Sequence, residues 1–471
     1  MPGTGGAASG ITGFAGSAPT PSDNAGGFSL VGGPAAMGSG CQGLECQRTT
    51  CTSGPCSHAA CAPGAVTTVS GVVYDPAGKV PLYNAAVYIP GASVGPLSSG
   101  ATCDRCGSSI LNPLVAALTD THGKFVLQDV PVGIDIPLVI QVGKWRRQVK
   151  IPSVAACADT ALTDPNLTRL PRNQSEGDIP KIAIATGGAD SMECLPRRMG
   201  VDDSEFSTSA GTGRIHLFAG ADHVQGANSD IATKAFAPAL NGGVALPPAT
   251  DLWSSVEALK AYDIVILSCE GGVMEAEKPV QSRKALYDYA SLGGRIFASH
   301  WHRFWFSDGP NPVLQVGTWE DRREPADPSM GTIDMTFPKG EAFANWLVNV
   351  NASTTLGQID IIEPRDNIQA IDPALARQWI TVQNENYPLA PTAIQYLSFN
   401  APLRVPDEQT CGRAVFTDLH VSATGNDTPG EPFPSGCEGR ELSSQEKAVS
   451  FMLFDLSACI QSDDVQPESP K

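Results

Sequence analysis

From residue 66 to 152, short runs of apolar residues alternate with polar ones. VTTVSGVVY at 66–74 is rich in β-branched residues and is followed by the turn DPAG at 75–78. AAVYI at 85–89 reads as a second strand, and a Gly/Ser/Pro loop then runs to residue 107. Segments 116–119, 124–127, 137–142 and 146–151 continue the pattern. Short strands with turn signals about every ten residues predict a small β-sandwich. A linker is expected over 153–180. Beyond it the period changes. KIAIAT (181–186), RIHLFA (214–219), DIVILS (263–268), RIFAS (295–299) and RAVFTD (413–418) are continuous apolar strands. Helical patterns at 254–261, 279–292 and 446–456 fall between or after them. Strands of this kind alternating with helices predict an α/β fold, a parallel sheet covered on both faces, over 181–460. A long insertion at about 303–395 interrupts it and carries one more helical segment, 339–350. Its length suits a lid or a docking subdomain.

Composition changes the picture at the ends. Residues 1–65 hold 15 Gly and 6 Pro but only three charges, Asp23, Glu45 and Arg48. Such a stretch buries too little apolar surface to offset its ordering entropy, so a disordered tether is expected there. A disordered tail is expected at 461–471. The first residues lack a basic segment followed by an apolar one, so no signal peptide is visible. No apolar run is long enough for a transmembrane helix. The net charge of −18 argues against general nucleic-acid binding. It names no partner and no oligomeric state.

Of the 13 cysteines, five stand at a strict interval: Cys41, Cys46, Cys51, Cys56 and Cys61. They suit a local disulfide knot better than zinc, whose close ligands favour shorter spacings, although His58 can join a metal version. The other eight are Cys103, Cys106, Cys157, Cys194, Cys269, Cys411, Cys437 and Cys459. Several lie in turn-rich sequence, which favours disulfides and an extracellular, periplasmic or cell-surface setting. A Cys411–Cys437 bridge is expected to staple a Gly/Pro-rich loop. CDRC at 103–106, inside a β-rich region, reads as structural bonds rather than a redox pair. KWRR at 144–147 is a basic-aromatic patch that either grips an anionic ligand or packs on the next domain.

Candidate chemistry gathers at strand ends, where open parallel sheets bind ligands. Asp222 and His223, Cys269 and Glu270, His300 and His302, and Asp418 and His420 all fall there, four of the seven histidines among them. His300, His302 and His420 are candidate ligands of a divalent metal, zinc or iron, with Glu270 as a further donor. In a metal-free alternative His300 or His420 is a general base oriented by Glu270 or Asp418, and Cys269 is a nucleophile. Ser299 stands at an elbow position but lacks the G-x-S-x-G frame. Asp222, His223 and Arg303 are candidate ligand-binding residues. Packing is the competing account, since Trp301, Phe304, Trp305 and Phe306 surround the histidines. Trp319, Trp346 and Trp379 form either a sugar platform or ordinary core. Three functions stay open: a secreted or surface-anchored binder of a ligand such as carbohydrate, a metal-dependent or histidine-based hydrolase, and a structural envelope component.

Family resemblances add expectations. VSGVVYD (69–75), TDTHGKF (119–125) and VPVG (130–133) resemble the carboxypeptidase regulatory-like, or transthyretin-like, domain. That resemblance implies a structural or adhesive module in which Gly123 makes the turn and Phe125 fills the core. YDIVILS (262–268), GGRIFASH (293–300) and GRAVFTDLH (412–420) resemble the class I glutamine amidotransferase-like fold, a flavodoxin-like parallel sheet, and most closely its ThuA-like branch. The whole chain is similar to secreted Cys-rich proteins of myxobacteria and related soil bacteria. The amidotransferase pattern places a nucleophilic cysteine at the elbow and a His-Glu pair later. Here the elbow reads ASHWH at 298–302, and no glutamate follows His420 at two residues. The resemblance therefore implies the fold without glutamine hydrolysis.

Overall fold

The computed structural model describes residues 61–106, 110, 113–221 and 232–469. Residues 1–60 of the expected tether, with Cys41, Cys46, Cys51, Cys56 and His58, lie outside the described residues, as do Asp222 and His223, whereas Cys61 is described and bonds Cys157 instead of a neighbouring cysteine.

The alternating region forms seven strands. They are β1 (Thr68–Val72), β2 (Ala86–Pro90), β3 (Pro113–Leu118), β4 (Lys124–Gln128), β5 (Gly133–Val142), β6 (Trp145–Val154) and β7 (Asp159–Leu162). They make two small sheets, β4-β1-β7 and β3-β2-β5-β6. Alternate side chains turn inward, Val69, Val87, Phe125, Leu138 and Ile140 among them. The fold of the chain back on itself at β7 corrects the expected linker at 153–180. β7 lies parallel to β1, with Thr68 opposite Asp159, and Arg169 forms an ion pair with Glu176 at 2.6 Å.

The remaining strands are β8 (Ile182–Ala185), β9 (Phe206–Ser207), β10 (Ile215–Phe218), β11 (Ile264–Leu267), β12 (Arg295–Ser299), β13 (Gly317–Trp319), β14 (Ser329–Ile333), β15 (Gln358–Ile361), β16 (Ile368–Ile371), β17 (Arg377–Gln383), β18 (Thr392–Ala401) and β19 (Gly412–Thr417). Ten of them form one mixed sheet, in the order β15-β14-β17-β18-β19-β12-β11-β8-β10-β9. From β19 to β9 every pairing is parallel. From β19 to β15 every pairing is antiparallel. The fold is thus mixed α/β with a large sheet. The insertion at 303–395 lengthens that sheet instead of standing apart as a lid. Its strand β18, buried from Ala393 to Phe399, pairs with the edge of β19, and β17 and β14 continue the sheet from there.

Three long helices cover the sheet: α1 (Val280–Ser291), α2 (Pro338–Asn349) and α3 (Ser444–Ser457). Successive residues of the central strands face opposite sides. Ile182, Ile184, Ile264, Ile266, Phe297 and Val415 belong to one core, with Phe343, Trp346 and Phe451 from α2 and α3. Ala183, Ala185, Val265, Leu267, Ala298 and Phe416 belong to the other, with Leu286 and Tyr289 from α1. Both faces being covered explains why these strands read as unbroken apolar runs. The first core also holds the inward side chains of β1, β2 and β5. Trp346 and Trp379 are buried in it, and Trp319 packs against the second, so the three tryptophans do not make an exposed sugar platform.

Four disulfides occur among the described residues: Cys61–Cys157, Cys103–Cys411, Cys106–Cys459 and Cys194–Cys437. The expected Cys411–Cys437 bridge is not formed. Cys411 precedes β19, whereas Cys437 follows its far end, and a six-residue strand spans roughly 20 Å, far beyond disulfide reach. The two cysteines of CDRC enter separate bonds. KWRR packs inward: Trp145 lies edge-on to Phe454, Lys144 meets Asp263 at 2.6 Å, and Arg146 meets Asp178 at 2.7 Å. The tail expected to be disordered is tied down as far as Asp463, which reaches Arg413 at 2.9 Å and Lys339 at 3.2 Å. No described helix is long and apolar enough to cross a membrane.

Candidate functional site

The carboxyl ends of β8, β11, β12 and β19 lie side by side in the sheet. Register sets the height of the residues beyond them. Leu267 pairs with Ala298, so Cys269 and His300, each two residues further on, stand at the same level. Ser299 pairs with Thr417, which brings Asp418 and His420 beside them. Cys269 Sγ and one nitrogen each of His300 and His420 all lie within 4.8 Å of one another, and the three residues are buried.

Each side chain is held by its element. Cys269 is the unpaired cysteine among the described residues, and its Sγ is 3.3 Å from His300 Nδ1. Gly187 lets the turn after β8 pack against the Cys269 backbone, because a Cβ there would sit 2.0 Å from the Cys269 carbonyl oxygen. His300 takes φ +43°, the left-handed region that a non-glycine residue enters at a cost. The strained turn aims its ring at His420, with centroids 5.0 Å apart. His300 Nε2 has no hydrogen-bond partner among the described residues, and the side chain is 5% exposed. Burial, with the charges of His420, Arg365 and Arg303, holds His300 well below the usual histidine range.

His420 lies between the Cys269 thiol and Glu363, whose Oε2 is 3.9 Å from His420 Nδ1. Burial disfavours its charged form, but Cys269, Glu363 and Asp190 outweigh that and push it up to about 10. The loop behind it is pinned by Asp190. One carboxylate oxygen of this buried residue accepts from the Val421 and Ser422 N–H groups at 3.0 Å and from the Ser422 hydroxyl at 3.1 Å. Asp418 is buried at the end of β19. Neither of its oxygens makes a well-formed hydrogen bond, and burial raises it well above the usual carboxylate range.

Two expected participants are turned elsewhere. His302 is not brought into the cluster: its Nε2 donates to the Ser268 carbonyl at 2.8 Å, and its Nδ1 accepts from Trp305 Nε1 at 2.9 Å. With both nitrogens committed it has no lone pair for a metal, which corrects its place in the ligand set. Glu270 is locked away as well. It is ion-paired with buried Lys278, and its other oxygen accepts from the Ala221 N–H at 3.1 Å. Burial opposes its ionisation, yet His302 and Lys278 hold it below the usual carboxylate range. It neither orients His300 or His420 nor joins the three donors. Ser299 is buried with its hydroxyl unpartnered.

Sequence reading missed Asp190, Glu363 and Arg365. Asp190 follows the double glycine after β8, a strand-end signal of the kind that marked the other residues. Glu363 and Arg365 follow β15, inside the insertion, and only the fold brings Glu363 to His420 and the Arg365 charge near His300. Arg303 lies just beyond His300, its guanidinium 5.5 Å from the Trp301 ring centre. Cys269, His300 and His420 form a soft-plus-imidazole donor set that can hold one transition metal. Thiol, imidazole and carboxylate also run in sequence through Cys269, His420 and Glu363, which can support nucleophilic chemistry without a metal.

Comparison with protein-family models finds no match, and no curated protein sequence is similar to the chain. Among solved structures, a candidate GMP synthase subunit from Thermoplasma acidophilum is 8% identical, covering 59% of this chain and 94% of that one, with a TM-score of 0.31. A type II Cohesin-X-Dockerin complex from Acetivibrio cellulolyticus matches at 19% identity over 29% of this chain and 85% of that one, with a TM-score of 0.17. Superpositions this loose define no shared fold.

Proposed function

We propose that Cys269, His300 and His420 are the three protein ligands of a zinc-type centre, and that the chain is a secreted hydrolase built around it. The observation that supports this most is the convergence of one thiol and two imidazole nitrogens within 4.8 Å, all buried. Buried polar atoms are nearly always partnered, yet His300 Nε2 and both His420 nitrogens make no well-formed hydrogen bond. One sulfur and two nitrogen donors suit zinc, and three protein ligands leave a fourth position for substrate or water. Iron of the facial type favours two histidines with a carboxylate, so the thiol tips the choice. When bound, the metal supplies Lewis acidity and hydrolytic power at neutral pH. The chain's own residues do the rest. Glu363 places a carboxylate 3.9 Å from His420 Nδ1, and Asp190 fixes the backbone beyond the ring. Asp418, two residues before His420 and held well above the usual carboxylate range by burial, is the candidate proton donor. Four disulfides among the described residues suit an extracellular setting.

Elemental analysis of the purified protein tests the proposal. About one zinc per chain is expected, lost in Cys269→Ser and His420→Ala but retained in His302→Gln, whose ring faces away. Metal-free wild-type protein with an intact fold overturns it.

The position of Glu363 behind His420 favours one second reading, a thiol nucleophile at Cys269. In that case the thiol passes its proton to His420 and attacks an acyl carbon, the carbon–leaving-group bond breaks as His420 returns that proton to the leaving group, and water then releases the acyl group from sulfur, with Glu363 stabilising the imidazolium. Metal-free protein that incorporates one equivalent of iodoacetamide at Cys269, more slowly in Glu363→Gln, supports this reading. Labelling that begins only after chelation supports the zinc centre.

A further inference from the structure

Arg303 stands beside the cluster without a counter-ion among the described residues. Its Nε is buried and has no hydrogen-bond partner, and its guanidinium carbon faces the Trp301 ring at 5.5 Å. The Trp301 ring is itself 4.9 Å from the His300 ring. The chain places these three groups in one short turn, His300–Arg303, that leaves β12. The other guanidinium near His300 is different. Arg365 is neutralised by Glu363 at 2.9 Å and by Glu324 at 3.6 Å. Acids are plentiful in a chain of net charge −18, so an unmatched arginine at this position is not a shortage of partners. A half-buried guanidinium loses hydration that a cation–π contact only partly replaces. Its planar fork matches a carboxylate or a phosphate in two parallel hydrogen bonds.

We infer that Arg303 is the anion-binding residue of the strand-end site, and that the site takes a ligand carrying an oxyanion group, carboxylate or phosphate, with that group on Arg303 and the remainder towards His300 and His420. This specificity rests on the reading of the cluster as a ligand-binding centre, but not on whether zinc occupies it. The net negative surface otherwise repels anions. An unmatched cation beside the cluster therefore also selects among ligands, favouring those that can pair with it.

Calorimetric titration of the full chain at low ionic strength with inorganic phosphate, with acetate and with neutral glycerol tests the inference. Each titration is run on zinc-loaded and on chelator-treated protein. Phosphate or acetate is expected to bind and glycerol to fail, and the two anions show which oxyanion the fork prefers. Arg303→Gln is expected to weaken the preferred anion about tenfold or more, the worth of one charge-assisted hydrogen bond, and Arg303→Lys to restore part of it. Equal binding by wild type and Arg303→Gln, or no anion binding to either form of the wild type, overturns the inference. Loss of zinc binding with retention of the Arg303 effect overturns the metal centre alone. Stoichiometric zinc without an Arg303 effect overturns the anion site alone.

Discussion

Single residues in this molecule are tuned by what surrounds them more than by their chemical type. Four described histidines are buried, and they fall into different states. His302 is fixed by two hydrogen bonds, His300 and His420 share a thiol, and His216 is structural. The Nε2 of His216 donates to the Gly213 carbonyl at 3.1 Å, while its Nδ1 is 2.9 Å from the Tyr262 hydroxyl. Burial, with Lys181 nearby, pushes His216 down to about 4. It is therefore neutral in the folded protein but free to protonate in the unfolded chain, with an ordinary value of about 6.5. Unfolding takes up a proton anywhere between those two values. The contribution of His216 is complete above about pH 6.5 and is lost as pH falls towards 4, a difference of up to about 3 kcal/mol. Denaturant titrations of wild type and His216→Gln from pH 4 to 7 should converge as pH falls. A gap that stays constant over that range would show that His216 is not held neutral.

Elements account for most of what was legible in the sequence, and for what was not. The apolar runs announced β8, β10, β11, β12 and β19 because both faces of each are buried, and a side chain buried on either face must be apolar. The same reading placed Cys269, His300 and His420 at strand ends, since glycines and polar residues follow each run directly. It could not align them, because register is a property of pairs of strands. It also missed that Glu363 and Arg365 come from the insertion, whose contact with His420 spans more than fifty residues of chain. The CDRC cysteines show the same limit: their chemistry was readable, their partners some three hundred residues away were not. Helix starts, by contrast, are local. Ser443 caps α3, accepting from the Glu446 N–H at 3.2 Å while the Glu446 carboxylate accepts from the Ser443 N–H at 2.8 Å. Glu446 also binds Arg198 at 2.6 Å and closely contacts Arg440, so the cap anchors the covering helix to the turn after β8. Ser443→Ala should cost about 1 kcal/mol. Glu446→Ala should cost more, because it also leaves the guanidinium of Arg198 buried without one of its two partners. Equal losses in chemical denaturation would mean that the cap alone carries the effect.

At the scale of the whole molecule, the question is whether the β-rich region and the α/β region unfold separately. The sequence suggests two domains, since the hydrophobic period changes near residue 180. The packing joins them. One core runs from Val69 and Leu138 through Ile184 and Ile266 to Phe451, without a polar layer between. Trp346 Nε1 of α2 donates to the Pro81 carbonyl at 2.8 Å, and Lys144 crosses to Asp263. Glycine makes part of this fit possible: a Cβ at Gly143 would lie 1.7 Å from the Ser457 carbonyl oxygen. Two of the disulfides, Cys103–Cys411 and Cys106–Cys459, tie the long loop of the first region to the residue before β19 and to the residues just after α3. Continuous apolar burial makes unfolding cooperative, whereas the bridges act chiefly by restricting the unfolded chain. The two contributions can be pulled apart. Differential scanning calorimetry of the oxidised protein should give one transition. Replacing all four cysteines of those two bridges by alanine should lower its midpoint while leaving one transition, because the shared core remains. Two resolved transitions in that variant would show that the disulfides, rather than the core, unite the regions. The strand-end cluster hangs on the answer, since β11, β12 and β19 carry its residues on one side of the sheet and the β-rich region packs into the core on which they rest.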